Sequence, residues 1–469
     1  MPDGAEPMSD GRLIVVSNRL PKGDVPSGGL VFAVHEMLSQ TGGLWIGAAD
    51  PTKTAEDGLT QIGKGVYDRA TFALSEDEHR HYYLGYSNSM LWPLFHHRAD
   101  LLSFDQDDFD GYARVNARVA RAIAEVAAPG DTIWIQDYHF LMVAKYLREL
   151  GVRNRIGLFL HIPCPNVSDL MALPQGADLP GWLAAHDLVG LQTQRDVSAV
   201  SDLLRLDRAI ERLPNGGWIR KGHRFAVLSF PIGIDAQGFA DTAASAPELP
   251  LRMPRDAPLI LGVDRLDYSK GLVQRFDGFD TYLARRDAGG PRPTFLQIAP
   301  GSREDVAAYQ EIRDQLERRA GAINGAHADL DWTPLRYVRR NIDRAILAGL
   351  YRRADVALVT PLADGMNLVA KEFVAAQDDE DPGVLILSHF AGAAEQLRAA
   401  LLVNPFDTSA LAEAIDRAIH MPLAERLERH AALRPMVFDQ DITWWRDNFL
   451  RHLRGHAGFD RAMARFSAP

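Results

Sequence analysis

The chain has 469 residues, 46% hydrophobic and 24% charged, which is the composition of a globular protein too long for one ordinary core. A net charge of −11 and a pI near 5.8 count against nucleic acid or an anionic membrane as the main partner, so any anionic ligand has to be held by local cations. A lone cysteine, Cys164, excludes an internal disulfide and a cysteine-rich metal site and suits a cytoplasmic protein, and no apolar stretch approaches the ~20 residues of a membrane span.

Residues 1–11 are polar and acidic with no apolar core, so they are expected to form a disordered tail rather than a signal peptide. Beyond them, strand-like runs alternate with helix-like runs, the pattern of α/β domains with parallel sheets. In chain order the predicted strands are Leu13–Ser17, Thr132–Ile135, Ile156–His161, Leu188–Gln192, Leu259–Val263, Thr294–Ile298, Val356–Thr360 and Val384–Ser388. The Pro-, Ala- and Ser-rich segment Asp241–Ala257 reads as the approach to a domain junction. The expected domains are 12–250 and 251–440, two doubly wound α/β units facing each other across a cleft. Residues 441–469 are expected to form a helix crossing back to the first.

Several strands end in polar clusters, and ligands of doubly wound sheets bind outside the carboxyl ends of the strands. SNRLPKGDVPSGGL follows the first strand and offers Arg19 for a phosphate and Gly28–Gly29 for close backbone approach, although a glycine pair also serves a plain turn. YYLGYSNSMLWPLFHH supplies Tyr83 and Trp92, candidates for stacking on a sugar and otherwise core residues. WIQDYH offers Asp137, and LFLHIPCP offers His161, which could equally be a satisfied core histidine. In VDRLDYSKG, Arg265 and Lys270 can neutralise a diphosphate, or Arg265 can pair with Asp264 or Asp267 on the surface. Arg303 in APGSRED suits a phosphate or a solvated face equally.

The stretch ADVALVTPLADGMNLVAKEFVAA is the most informative. It reads as a strand, a tight turn of Asp364-Gly365-Met366-Asn367, and a helix starting near Leu368. Amides at a helix start lack internal acceptors and carry partial positive charge, so Leu368 and Val369 can hold an anion. Asp364 is available for sugar hydroxyls, and Glu372 lies about one turn into the helix, where a ribose comes within reach. Two further motifs are set aside. Gly58–Lys64 resembles a phosphate loop but has Gly65 where Ser or Thr would bind magnesium, and Asp329–Thr333 imitates an aspartyl-phosphate motif without the apolar strand that should precede it. No G-x-G-x-x-G follows the first strand, which counts against a nicotinamide enzyme.

Taken in order, VVSNR, the Gly-Gly loop, GGLWIG, SNSMLWPLFH, DGYARVN, IWIQDYH, NRIGLFLHIP, FPIGID, RLDYSKGL, QIAPGSRED, WTPLRY, TPLADGMNLVAKE and NPFD resemble the retaining GT-B glycosyltransferases, and more closely the bacterial trehalose-6-phosphate synthase family. The resemblance runs from about Leu13 to Phe449. It implies two Rossmann-like domains and transfer of glucose from a nucleotide diphosphate glucose, usually UDP-glucose, to glucose 6-phosphate. Arg265 and Lys270 would hold the donor diphosphate, aided by Gly28, Gly29 and the backbone of Gly365, Met366, Asn367, Leu368 and Val369. Asp364 would bind the donor glucose, Glu372 the ribose, and Ile342 would border the base. Arg19, Tyr83 and Arg303 would grip the acceptor phosphate, with Trp92 and Asp137 on the acceptor sugar and His161 near the reacting carbon. The resemblance further implies no cofactor and no metal, a homo-oligomer (dimer or tetramer), and a separate trehalose-6-phosphate phosphatase. Relatives with another acceptor such as glycerol 3-phosphate, or without catalysis, are the alternative.

Overall fold

The computed structural model describes residues 11–21, 29–254, 257–287, 289–302 and 307–455. Its contacts divide the chain into two compact units, residues 1–230 with 445–469, and residues 231–444. The first carries strands β1 (Leu13–Val16), β2 (Leu44–Ala48), β3 (Leu59–Gly63), β4 (Asp68–Phe72), β5 (Thr132–Gln136), β6 (Arg155–Phe159), β7 (Leu188–Leu191), β8 (Ile210–Arg212), β9 (Trp218–Arg220) and β10 (His223–Ser229). They form a ten-stranded sheet in the order β3-β4-β2-β1-β5-β6-β7-β10-β9-β8. The run from β4 to β10 is parallel throughout, and only β3, β9 and β8 pair antiparallel at the edges.

The second unit carries β11 (Leu259–Val263), β12 (Thr294–Ile298), β13 (Leu335–Val338), β14 (Val356–Val359), β15 (Val384–Ser388) and β16 (Leu401–Val403). Its six-stranded order, β13-β12-β11-β14-β15-β16, is that of a Rossmann dinucleotide-binding sheet. Every pair is parallel. β14 and β15 are buried at every residue because helices cover both faces, which is why these strands read as unbroken apolar runs. In each sheet the order reverses beside the first strand, between β1 and β5 and between β11 and β14, and these switch points open a crevice at the carboxyl ends.

Several strands stop a residue or two before the sequence reading placed their ends, leaving Ser17, His161, Gln192 and Thr360 just past the sheet. Polar side chains at those positions bond sideways instead of continuing the ladder. The Ser17 hydroxyl donates to the Arg19 carbonyl at 2.8 Å, for example, and accepts from the Trp45 indole at 2.8 Å. The boundary between units also falls at Pro231 rather than near residue 250. The reason is packing: helix Ala236–Ala244 sets Phe239 against Tyr351 with ring centres 5.9 Å apart. A Cβ added at Gly349 would lie 2.7 Å from Ala246 and 2.9 Å from Leu249, so the junction segment is seated on the second unit.

Residues 445–455, in the helix Ile442–Arg454 and the turn after it, pack with the first unit. Phe449 stacks on Trp134 with centroids 4.5 Å apart, and Trp445 meets Phe159 edge-on at 5.0 Å. Both Trp445 and Phe449 are fully buried. Glycines make room for them, since a Cβ at Gly157 or Gly190 would come 2.9 or 2.5 Å from the Phe449 ring. Phe449→Ala is therefore expected to lower unfolding free energy by roughly 3–5 kcal/mol. Denaturant unfolding that matches the unmutated protein would show that this helix adds nothing to the core.

Candidate active site

In the second unit, the loop after β11 is shaped by Asp267. Its carboxylate accepts from the Ser269 amide at 2.9 Å and from the Tyr309 hydroxyl at 3.0 Å. Gly271 follows with φ +65°, and a Cβ there would sit 2.2 Å from the Thr360 carbonyl oxygen, so glycine is required on both counts. The fully buried Arg275 reaches back from helix Leu272–Arg285. Its guanidinium donates to Asp264 at 2.6 Å, Gln297 at 2.8 Å and the Thr360 hydroxyl at 3.0 Å. One side chain thereby ties together the ends of β11, β12 and β14. Arg265 stands exposed on the same loop.

Held this way, Lys270 meets Asp364 across the switch point, with Nζ to Oδ2 at 2.5 Å. Asn367 donates to the same Asp364 oxygen at 3.0 Å, and its own oxygen accepts from the Ala370 amide at 3.3 Å. Asn367 does this at φ +78°, a left-handed conformation that asparagine tolerates better than most residues. The amides of Leu368 and Val369 open the helix Leu368–Ala376 just before that capped amide, where no helical acceptor exists. Asp364 is fixed through its backbone as well, its amide donating to Phe390 at 3.2 Å and its carbonyl accepting from Gly392 at 3.1 Å. Gly365 and Met366 are buried in the turn, and Ile342 is half-buried in the loop after β13. Cation, carboxylate and helix start thus come together at one point of the second unit, with Lys270 and Asp364 bonded to each other.

Further along that helix two neighbours have unusual acidities. Desolvation pushes the half-buried Glu372 carboxyl up to about 7, although the Tyr351 hydroxyl donates to it at 3.3 Å. The fully buried Lys371 donates to the Ile232 carbonyl at 2.6 Å, and burial pushes its ammonium down to about 7.

In the first unit, Arg19 follows β1 and donates to the Tyr83 oxygen at 2.8 Å. Both line a cavity of about 410 Å³ together with Asn18, Leu20, Pro21, Val31, Ala48, Ala49, Asp50, Pro51, Leu74 and His79. Tyr83 sits on a wide helix wound with π-type turns, His79–Leu91. This winding brings the Asn88 amide group to the Tyr83 carbonyl at 2.7 Å, and the Trp92 N–H closes it on Ser87. Trp92 is buried, its ring 4.1 Å from His96 and 5.8 Å from Tyr138.

At the β1–β5 switch point, Asp137 takes φ +69°, a conformation that costs energy in a residue with a Cβ and marks functional sites more often than ordinary turns. Its carboxylate accepts from the His161 amide at 3.2 Å. The His161 Nε2 hydrogen-bonds the Gln136 side-chain amide at 2.8 Å. Desolvation pushes this imidazole down to about 3, so His161 acts as a neutral hydrogen-bonding group and not as a cation. Cys164 is buried with its thiol pushed up, which removes it as a nucleophile.

Arg303 and Gly28 lie outside the described residues, and Gly29 begins the helix Gly29–Thr41. Gln136, Arg275, Tyr351, Lys371 and His79 were not singled out from sequence. Arg275 and Lys371 look like ordinary solvated positions of amphipathic helices, and only an arginine or lysine falling on the apolar face hints otherwise. Among the described residues, no cluster of His, Cys, Asp or Glu is arranged to hold a metal ion, and no helix is long and apolar enough to cross a membrane.

The profile of glycosyltransferase family 20 matches residues 16–455. A curated trehalose-6-phosphate synthase of Cronobacter sakazakii is 44% identical over 452 residues, covering 94% of this chain and 95% of that protein. Among solved structures, "Trehalose-6-phosphate from E. coli bound with UDP-2-fluoro glucose" superposes with a TM-score of 0.90 at 44% identity, over 95% of this chain and 100% of that one. An alpha,alpha-trehalose-phosphate synthase (UDP-forming) from Burkholderia xenovorans in complex with glucose-6-phosphate gives 0.89 at 44% identity with the same coverage. Both match the two-sheet GT-B architecture described above.

The lowered pKa of Lys371 predicts a signature in stability. Between about 7 and 10.5 the folded chain keeps this lysine neutral while the unfolded chain protonates it. The unfolded state then holds the extra proton, so raising pH across that window strengthens the fold. Lys371→Met should remove this rise. Equal pH slopes for the two proteins, followed by denaturant unfolding, would contradict a neutral buried lysine.

Proposed function

The chain belongs to glycosyltransferase family 20, and from that premise we propose that it transfers glucose from UDP-glucose to the anomeric hydroxyl of glucose 6-phosphate with retention, giving α,α-trehalose 6-phosphate and UDP. The observation that carries this reading is the Lys270–Asp364–Asn367 cluster at the switch point of a Rossmann-ordered sheet, beside a helix start. A diphosphate needs fixed positive charge where negative charge grows, and a sugar needs a nearby carboxylate for its hydroxyls; this cluster supplies both. The E. coli relative bound with UDP-2-fluoro glucose and the B. xenovorans relative with glucose-6-phosphate support the same two ligand classes.

In this reading the bond between glucose C1 and the diphosphate oxygen breaks, and its electron pair leaves with UDP. Arg265, Lys270 and the Leu368 and Val369 amides stabilise that departing charge. The acceptor hydroxyl attacks C1 from the same face, and its proton passes to the leaving phosphate oxygen. Positioning and preorganised charge then supply the rate enhancement. Asp364 binds the donor glucose, Glu372 accepts from the ribose and Ile342 borders the base. His161, held neutral, hydrogen-bonds the donor sugar near C1. Arg19 and Tyr83 hold the acceptor phosphate with Arg303, while Asp137 and Trp92 shape the pocket for the acceptor sugar. The protein works in the cytoplasm as a dimer or tetramer, and a separate phosphatase removes the phosphate from its product.

The direct test is a panel of UDP-, GDP- and ADP-glucose against glucose 6-phosphate and glycerol 3-phosphate, with the product identified. Trehalose 6-phosphate should form, and a product containing glycerol phosphate would replace the acceptor. Lys270→Ala should lower kcat by a factor of about 10²–10³, because the ammonium stabilises charge that develops only as UDP departs. A folded variant with near-normal kcat would remove Lys270 from the donor site. Since side-chain cations and helix amides meet the diphosphate charge, turnover should persist in excess EDTA. Loss of turnover restored by magnesium would mean that a metal ion carries that charge.

A further inference from the structure

Building on the acceptor-site reading, we propose that His79 is a further ligand of the acceptor phosphate, completing a site with Arg19 and Tyr83. Tyr83 lies between two imidazoles, with His79 stacked on it at 5.1 Å and 27° and His139 at 5.8 Å and 11°. The two histidines differ in one decisive respect. His79 lines the 410 Å³ cavity that Arg19 and Tyr83 also line, and His139 does not. His139 supports the tyrosine ring, whereas His79 both stacks on it and lines the same cavity as Arg19 and Tyr83.

The position of His79 is fixed before any ligand arrives. Ser75 and Glu78 form a reciprocal cap, with the Glu78 amide donating to the Ser75 hydroxyl and the Ser75 amide to the Glu78 carboxylate, both at 3.0 Å. Arg118, itself largely buried, grips that carboxylate at 2.6 Å. The His79 amide donates to the Ser75 carbonyl at 2.8 Å, so the histidine begins its helix from an anchored turn. A side chain on such a support loses little freedom when it binds. A phosphate monoester presents three terminal oxygens with several lone pairs each, so an imidazole N–H adds a charge-assisted bond to those from Arg19, Tyr83 and Arg303. Ala48 and Ala49, with their small side chains, line the same cavity. Asp50 is the acidic side chain among the residues lining the cavity, and it is exposed to solvent, where its repulsion is screened.

The test must separate hydrogen bonding from ring stacking. His79→Phe keeps an aromatic ring on Tyr83 and removes the N–H, and His79→Leu fills the same space if the aromatic variant does not fold. Both should raise the KM for glucose 6-phosphate roughly tenfold and weaken competitive inhibition by inorganic phosphate to a similar degree. Affinity for UDP-glucose, measured without acceptor, should stay at its unmutated value. His79→Gln, which retains an N–H donor, should fall between. An unchanged KM in His79→Phe would overturn the proposal and reduce His79 to a stacking residue. Arg19→Ala run alongside distinguishes the two levels of the argument. If it raises KM while His79→Phe does not, the acceptor site stands without His79, and if neither variant does, the acceptor-site reading falls as well.

Discussion

A single buried guanidinium organises the second unit. Arg275 bonds at once to Asp264, Gln297 and Thr360, which sit at the ends of three neighbouring parallel strands. An arginine with no solvent exposure is tolerable only because each of these partners meets one of its forked donors. The same guanidinium reaches the Lys270 carbonyl at 3.4 Å, so the loop that carries Lys270 is braced from beneath. The Lys270–Asp364 pair then depends on this brace. Without it, the β11 loop would have to find its own conformation before Lys270 could face the turn after β14.

The first unit solves the equivalent problem with aromatic rings. Its switch point has no buried ion pair of this kind among the described residues; Arg19 is oriented by the Tyr83 hydroxyl, and Tyr83 is held between flat imidazole rings. Asn18 is fixed in turn by the Tyr82 hydroxyl at 2.9 Å. A neutral stack can hold a cation in place without competing for it, as a carboxylate would. The second unit uses a carboxylate instead, with Asp364 bonded directly to Lys270 at 2.5 Å. The two halves share a strand order and differ in how their charges are restrained.

Low-dielectric surroundings set the chemical character of the remaining groups. His161 and Lys371 are both kept from protonation by burial, yet they serve different ends. His161 is held by the Gln136 side-chain amide just past the carboxyl end of β6. Lys371 points into the core and fastens helix Leu368–Ala376 to the Ile232 carbonyl. That fastening also sets the position of Glu372 and of the helix-start amides.

Much of this was legible in the amino-acid sequence because its determinants are local. Largely apolar runs flanked by polar clusters located β11, β12 and β15 to the residue, since strands buried on both faces are mostly apolar. The same runs identified which polar residues fall at the carboxyl ends, and hence Arg19, Asp137, Lys270 and Asp364. Asn367 and Gly271 could be read as turn residues from their type alone. Other features depended on distance in space. The junction was expected near residue 250 from the aperiodic Asp241–Ala257, whereas the contacts divide the chain at Pro231, because residues 236–249 find their unit by packing on Tyr351 and Gly349. Arg275 and Lys371 are indistinguishable from surface residues until the fold closes over them, as is the pairing of Lys270 with Asp364, 94 positions apart. Local propensity and patterning determined where the ligands sit along the chain, and tertiary packing decided which of them meet, because burial and partner choice are properties of the folded neighbourhood and not of any one segment.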